Sequence, residues 1–228
     1  AGLVTGALDL IRGRWDTPAA KLAWLVGIAS VPAVAAGLAL KLAALDDGLR
    51  TIEIIGWATL LGGILLYLAD TFAPTDRRAA TADAEEGTAS AWRLGDAVIM
   101  GLAQALALIP GTSRSGITMT AARGLGFGRE EAARLSLVMA IPLIIAATSI
   151  ELAGIVSEGA PQAASAAGSA TGSIGMLSAL ALAAVLSCLA ALAALVVMFS
   201  MFRRAWTMTP FVIYRVGLGI ALLTTAYS

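Results

Sequence analysis

No histidine occurs among the 228 residues, and there is a single cysteine, Cys188. The first absence excludes a histidine general base, a phosphohistidine enzyme and a histidine metal site built from this chain alone. The second excludes an intrachain disulfide. Cys188 lies inside an apolar run and reads as a small filler in a helix. Charge is scarce too: charged residues make up 13% of the chain and aromatic ones 6%, where a soluble domain carries about 25% charged residues. Fifteen basic and fifteen acidic side chains cancel, so no net basic field is offered to nucleic acid or to anionic lipid. The start, Ala1 to Gly6, has no methionine and no basic stretch leading into an apolar core, so it is not a signal peptide. It reads as the tail of a helix begun earlier, and the chain is expected to be a fragment or a processed or trimmed form.

What is abundant is apolar surface. Hydrophobic residues reach 59% and the mean hydropathy is +0.87. That excludes a soluble globular domain and a disordered tail, and favours a bundle of membrane spans of about 20 residues each. Full spans are expected at Leu22–Leu45, with Pro32 inside, and at Ile52–Phe72, whose Glu53 and Asp70 are placed at the interfaces. Further spans are expected from Arg129 through Pro142 to about Ile155, at Ile174–Phe202 and at Pro210–Tyr227. Residues 73–93 are polar and read as a solvated loop, with Trp92 and Arg93 at a membrane edge. Gly159–Gly172 is a small-residue linker, and 154–173 is read as an exposed loop.

Residues 94–124 break the pattern. Leu94–Ile109 and Ser115–Gly124 are apolar but too short to cross about 30 Å of hydrocarbon, and Pro110-Gly111 separates them. A re-entrant hairpin is expected, its turn buried in protein or lining a wet cavity. With the hairpin returning to its own side, eleven basic residues fall on one face of the membrane and two, Lys41 and Arg50, on the other. The positive-inside bias then makes 73–93 cytoplasmic, and turns 154–173 and the C-terminus outward. The expected architecture is an all-α polytopic membrane protein, one integral membrane domain over 1–228 with about five transmembrane helices and one re-entrant hairpin.

The hairpin turn carries the chemistry. Pro110-Gly111-Thr112-Ser113-Arg114-Ser115-Gly116 gathers three hydroxyls, a guanidinium and two glycines between two short helices. Glycine lets backbone N–H groups approach a ligand. A helix starting near Ser115 aims its free N–H groups and positive end at the turn. Arg114 offers a fork that matches phosphate, and the hydroxyls of Thr112, Ser113 and Ser115 donate to its oxygens. The plainer alternative is a tight helix–helix turn, with Arg114 reaching to water and Ser113 capping a helix. An arginine at membrane depth is costly and argues for a functional role. The string is not a nucleotide-binding P-loop, since it has no lysine and lacks that glycine spacing. Gln104 reads either as core glue or as a site residue. Thr118, one turn into the second helix, is placed to face the same cavity. Asp96 reads as a helix-start acid and Glu151 as interfacial. Arg215 reads either as the partner of a carboxylate or as a second phosphate contact.

These stretches resemble the bacterial undecaprenyl-diphosphate phosphatase family of the bacitracin-resistance type. The likeness rests on Gly101-Leu102-Ala103-Gln104, on Pro110 through Thr118, on Arg129-Glu130-Glu131-Ala132-Ala133-Arg134-Leu135-Ser136 and on Ala140-Ile141-Pro142. Ile28–Gly37 around Pro32 and Pro210-Phe211-Val212-Ile213-Tyr214-Arg215 are similar as well. The resemblance implies an enzyme of the bacterial plasma membrane that removes the terminal phosphate of undecaprenyl diphosphate and so recycles the lipid carrier of cell-wall synthesis. It implies a divalent cation, Mg2+ or Ca2+, and two inverted repeats that each contribute a re-entrant hairpin. On that basis Arg114, Ser113 and Ser115 are the catalytic candidates, Arg114 neutralising the diphosphate and either serine binding its oxygens or attacking. Gly111, Thr112, Gly116, Thr118 and Gln104 are the substrate-binding candidates. The family's first repeat has a Glu-rich motif, a Ser-rich loop and a histidine. None occurs here, and that part, with the metal ligands, is expected to lie before Ala1, so no metal ligand is assigned. The expected partners are a polyprenyl diphosphate and the bilayer, with no nucleic acid; the sequence leaves open the oligomeric state, a homodimer included. A transporter of a phosphorylated lipid or small anion is the alternative, since broken helices also serve transporters. It differs in binding the diphosphate without releasing phosphate. An inactive scaffold differs in being indifferent to Arg114→Ala, and a type-2 phosphatidic acid phosphatase is excluded by its need for histidine.

Overall fold

A computed structural model describes residues 2–43, 47–73, 92–158, 173–203 and 208–227. Every long regular element among them is an α-helix: α1 (Gly2–Ile11), α2 (Pro18–Leu42), α3 (Ile52–Phe72), α4 (Leu94–Leu106), α5 (Arg114–Gly124), α6 (Arg129–Glu158), α7 (Ser173–Arg203) and α8 (Thr209–Tyr227). The starts follow local rules. Thr17 accepts from the Ala20 N–H at 3.1 Å, with Pro18 in the first helical position. Thr51 accepts from Ile54 N–H at 3.3 Å. Asp96 accepts from the Arg93 N–H at 2.9 Å, the helix-start role expected of it. Pro32 and Pro142 lie inside α2 and α6, and both helices continue through them.

Residues 1–144 with 207–228 make one compact unit, and 145–206 make a second. In the first, α2 packs on α1 and α4, α3 on α5 and α8, and α4 on α5. Its buried cluster joins Leu25, Val26 and Ala29 of α2 to Ala97 and Met100 of α4, Ala122 of α5 and Leu135 and Met139 of α6. Trp92, just before α4, and Phe127, just after α5, belong to the same cluster. The chain therefore leaves and re-enters one packed region on either side of the 94–124 hairpin. Trp92 is wholly buried there, its large ring filling the core beside the hairpin base.

Among the described residues, four helices are long and apolar enough to cross a bilayer: Pro18–Leu42, Ile52–Phe72, Arg129–Ile150 and Thr209–Tyr227. Their outward faces show Trp24, Val31, Leu61, Leu65, Ile145 and Ile213, as lipid-facing helices do. The chain is thus a polytopic helical membrane protein. Of the fifth expected span, α7 is helical throughout Ser173–Arg203, but its apolar stretch among the described residues, Ala181–Val197, is shorter than a full span. The expected loops 73–93 and 154–173 fall largely outside the described residues. The second is shorter than expected, because α6 stays helical to Glu158.

Candidate anion-binding site

The site is built where α4 stops and α5 starts. At the end of α4 the N–H groups of Ala107, Leu108 and Ile109 donate to carbonyls three residues back, which tightens the last turn. Pro110-Gly111 then reverses the chain. Thr112 N–H donates to the Ile109 carbonyl at 3.2 Å, and Gly111 has φ +92°. This is a type II turn, with proline second and glycine third. A Cβ on Gly111 would also meet the Ile55 carbonyl oxygen and lie 2.9 Å from Thr59 Oγ1. From α3, Thr59 donates to the Gly111 carbonyl at 3.1 Å and pins the turn.

Ser113 follows with φ 63° and ψ 109°, a backbone state that costs a non-glycine residue about 1–3 kcal/mol and that gathers at functional sites. Its hydroxyl accepts from Gly116 N–H at 3.2 Å, so α5 begins at Arg114, one residue earlier than expected. The N–H groups of Arg114 and Ser115 are left without intrahelical acceptors, as at any helix start. The Ser113 and Ser115 hydroxyl oxygens are exposed and 3.4 Å apart. Arg114 is half-buried and donates from Nη1 to the Ala140 carbonyl of α6 at 3.3 Å. The structure thus brings Gly111, Thr112, Ser113, Arg114, Ser115 and Gly116 into one loop and helix start, with donors outnumbering acceptors.

Thr118 is wholly buried. It donates to the Arg114 carbonyl at 2.8 Å and lies 2.7 Å from the Ser136 hydroxyl, which reaches the Ser115 carbonyl at 3.5 Å. Its hydroxyl is spent on joining α5 to α6. Gln104 is also wholly buried, yet neither of its amide atoms has a hydrogen-bond partner. It supplies no polar glue between helices, and no hydrogen bond joins it to the loop.

Arg215 reaches the turn from α8. Its Nη2 donates to the carbonyls of Thr112 at 2.7 Å, Gly111 at 3.1 Å and Ala58 at 3.5 Å, and its Nε to that of Thr59 at 3.4 Å. The carboxylate partner entertained for it is therefore corrected: backbone carbonyls of α3 and the turn take that place. Nη1 is buried without a partner.

Asp70, which closes α3, is not left to solvent: its carboxylate is buried and paired. It binds Arg129 Nε at 2.7 Å and Nη2 at 3.1 Å, Met208 N–H at 3.1 Å, and Arg123 Nε as an ion pair at 3.3 Å. The Arg123 side chain is completely buried and also donates to the Phe127 carbonyl at 2.7 Å. One acid thus ties the ends of α3 and α5 to the starts of α6 and α8. Thr59 and Arg123 were not singled out in the sequence, and Ser136 stood there only within a resembling stretch; the usable signal was a hydroxyl or charge within an apolar segment.

An apolar cleft of ≈ 530 Å³ runs from the turn, at Thr112 and Ile109, along Leu61, Leu65 and Trp57 of α3 towards Tyr227. Among the described residues no three of Asp, Glu, Cys and His come together to hold a metal. The loop's hydroxyls, amides and guanidinium groups are donors to an anion, whereas Mg2+ and Ca2+ take carboxylate and carbonyl oxygens. The loop by itself does not fit the cation that the family resemblance implies.

The chain matches the family model "Bacitracin resistance protein BacA" over residues 2–221. It is similar to proteins named undecaprenyl-diphosphatase: 49% identical over 225 residues to that of Dinoroseobacter shibae, covering 99% of this chain and 75% of the relative. It is 45% identical over 224 residues to that of Roseobacter denitrificans, covering 98% and 75%, and 45% identical over 227 residues to that of Jannaschia sp., covering 99% and 75%.

Proposed function

This chain belongs to the bacitracin-resistance BacA family, and from that premise we propose that its hairpin turn is the phosphate-binding half of an undecaprenyl-diphosphate phosphatase. The reaction adds water across the P–O–P anhydride and yields undecaprenyl phosphate and inorganic phosphate, with the lipid carrier returned to cell-wall synthesis. The carrying observation is the start of α5, where Arg114, two exposed serine hydroxyls and two free N–H groups converge behind a strained Ser113. Fixed donors and a helix N-terminus stabilise the charge that spreads over the phosphoryl oxygens in the transition state. The pinned turn holds them in place before substrate arrives, which is where the rate gain of such a site resides. Ser113 and Ser115 bind oxygens or attack; trapping a phosphoserine distinguishes the two roles.

The same geometry supports a re-entrant hairpin. Thr59 meets the turn and Asp70 meets the hairpin base through Arg123. Eleven residues of α3 separate them, about 16 Å at 1.5 Å per residue, roughly half of the ~30 Å hydrocarbon layer. The base carries Arg123 and Arg129, the basic end that the charge count places in the cytoplasm. The turn then opens towards the outer leaflet, and the apolar cleft beside it receives the polyprenyl chain.

The test is phosphate release from undecaprenyl diphosphate in detergent, with Mg2+ or Ca2+ and with EDTA. It compares the natural sequence, including any coding sequence upstream of Ala1, with its Arg114→Ala variant. Release that Arg114→Ala lowers by about 10²-fold or more supports the proposal, the size expected for a lost oxyanion donor. Binding without release turns the reading to transport.

A further inference from the structure

We propose that Arg215 supplies a second guanidinium to this anion site, with Nη1 contacting the phosphate held at the start of α5. This deepens the phosphatase reading and rests on it. Arg215 is 7% exposed. Its Nε and Nη2 donate to carbonyls of Ala58, Thr59, Gly111 and Thr112, which fixes the plane of the group. Nη1 lies in that plane and has no acceptor. Leaving a buried charged donor unpaired is expensive, and native structures do so rarely.

The space around the group is shaped for it. A Cβ on Gly62 of α3 would collide with Nη2, and one on Gly116 of α5 with Nη1. Two helices thus have no side chain where this guanidinium sits. Gly116 also tells where Nη1 is: against the first turn of α5, beside Ser113 Oγ, which lies 3.2 Å from the same virtual Cβ. That turn carries the free N–H groups and the exposed hydroxyls. An oxyanion bound there comes within reach of this unspent N–H pair of Arg215. A terminal phosphate brings about 1.5–2 negative charges at pH 7, more than Arg114 alone balances. The two arginines differ in kind. Arg114 is half-buried with one 3.3 Å bond, whereas Arg215 is held by four carbonyls and sets where the phosphate stops.

The experiment titrates wild type, Arg215→Gln and Arg215→Lys in detergent with undecaprenyl diphosphate, undecaprenyl phosphate, inorganic pyrophosphate and uncharged undecaprenol. Loss of one charge-assisted hydrogen bond predicts diphosphate binding about ten- to hundred-fold weaker in Arg215→Gln. Undecaprenol binding stays unchanged, and Arg215→Lys recovers part of the loss. Inorganic pyrophosphate shows whether the phosphate alone, without its lipid, senses the change. Equal loss for diphosphate and undecaprenol, or no loss for the diphosphate, overturns the proposal. If wild type neither binds the diphosphate nor releases phosphate, the phosphatase reading fails instead. Should both substitutions unfold the chain, nitrogen–phosphorus NMR distances decide, measured on Arg114→Lys with ¹⁵N-arginine and bound pyrophosphate. A nitrogen of Arg215 within about 4 Å of phosphorus is expected, and a longer distance overturns the proposal.

Discussion

Removing the Asp70 carboxylate tests how the hairpin base is held. Asp70 neutralises Arg123, whose side chain has no exposed surface, and Arg129, whose side chain is 30% exposed. In Asp70→Ala, Arg129 turns to water and contributes little to the loss, as exposed pairs do. Arg123 has no such escape. It keeps the Phe127 and Asp70 backbone carbonyls but stays an uncompensated buried charge, a change that costs about 3–5 kcal/mol. Met208 N–H also loses its acceptor. Asp70→Asn keeps an oxygen for Met208 and loses only the charge, so it sits at the lower end of that range. Thermal unfolding in detergent, followed by circular dichroism, reads the loss. At about 2–4 °C per kcal/mol for a unit of this size, Asp70→Ala melts about 6–20 °C lower. The decisive arm is Asp70→Asn with Arg123→Met, which removes the orphaned charge and regains most of the loss. A fall below about 1 kcal/mol in Asp70→Ala, or a double variant that is simply additive, refutes the reasoning that a buried ion pair holds the base.

Gly111→Ala places a Cβ against the Ile55 carbonyl at a φ that side chains avoid. It should lower phosphate release by about 10²-fold, the scale for displacing a positioned donor set, with far-UV circular dichroism unchanged; wild-type turnover refutes the turn's role. Ser136→Ala removes the partner of Thr118 and should cost about 1–2 kcal/mol in unfolding. It should raise KM more than it lowers kcat, because Ser136 acts on α5 from behind; a selective collapse of kcat refutes that placement.

Much of this was written locally. Apolar runs of about 20 residues specify spans because an unsatisfied backbone group in hydrocarbon is too costly for anything but a helix. Pro110-Gly111 specifies the turn because proline fixes the negative φ of its second position and glycine accepts the positive φ of its third. The Pro-Gly-Thr-Ser-Arg-Ser-Gly string announces an anion loop through the density of its donors. The family resemblance reached from those same residues is confirmed by the match over residues 2–221. Other features could not be read this way. Asp70 looks like an interfacial acid because helix ends usually meet water, and its burial depends on Arg123, Arg129 and Met208 arriving from distant segments. Arg215 looks like a residue in need of a carboxylate. Only the meeting of α3, the turn and α8 shows that carbonyl oxygens satisfy it and leave one nitrogen over. Sequence by itself determined the helices, their membrane setting and the donor-rich turn, because those follow from local backbone and solvation rules. Tertiary structure alone decided which charges are neutralised and which donors remain free, because partners in a low-dielectric interior are chosen by packing and not by distance along the chain.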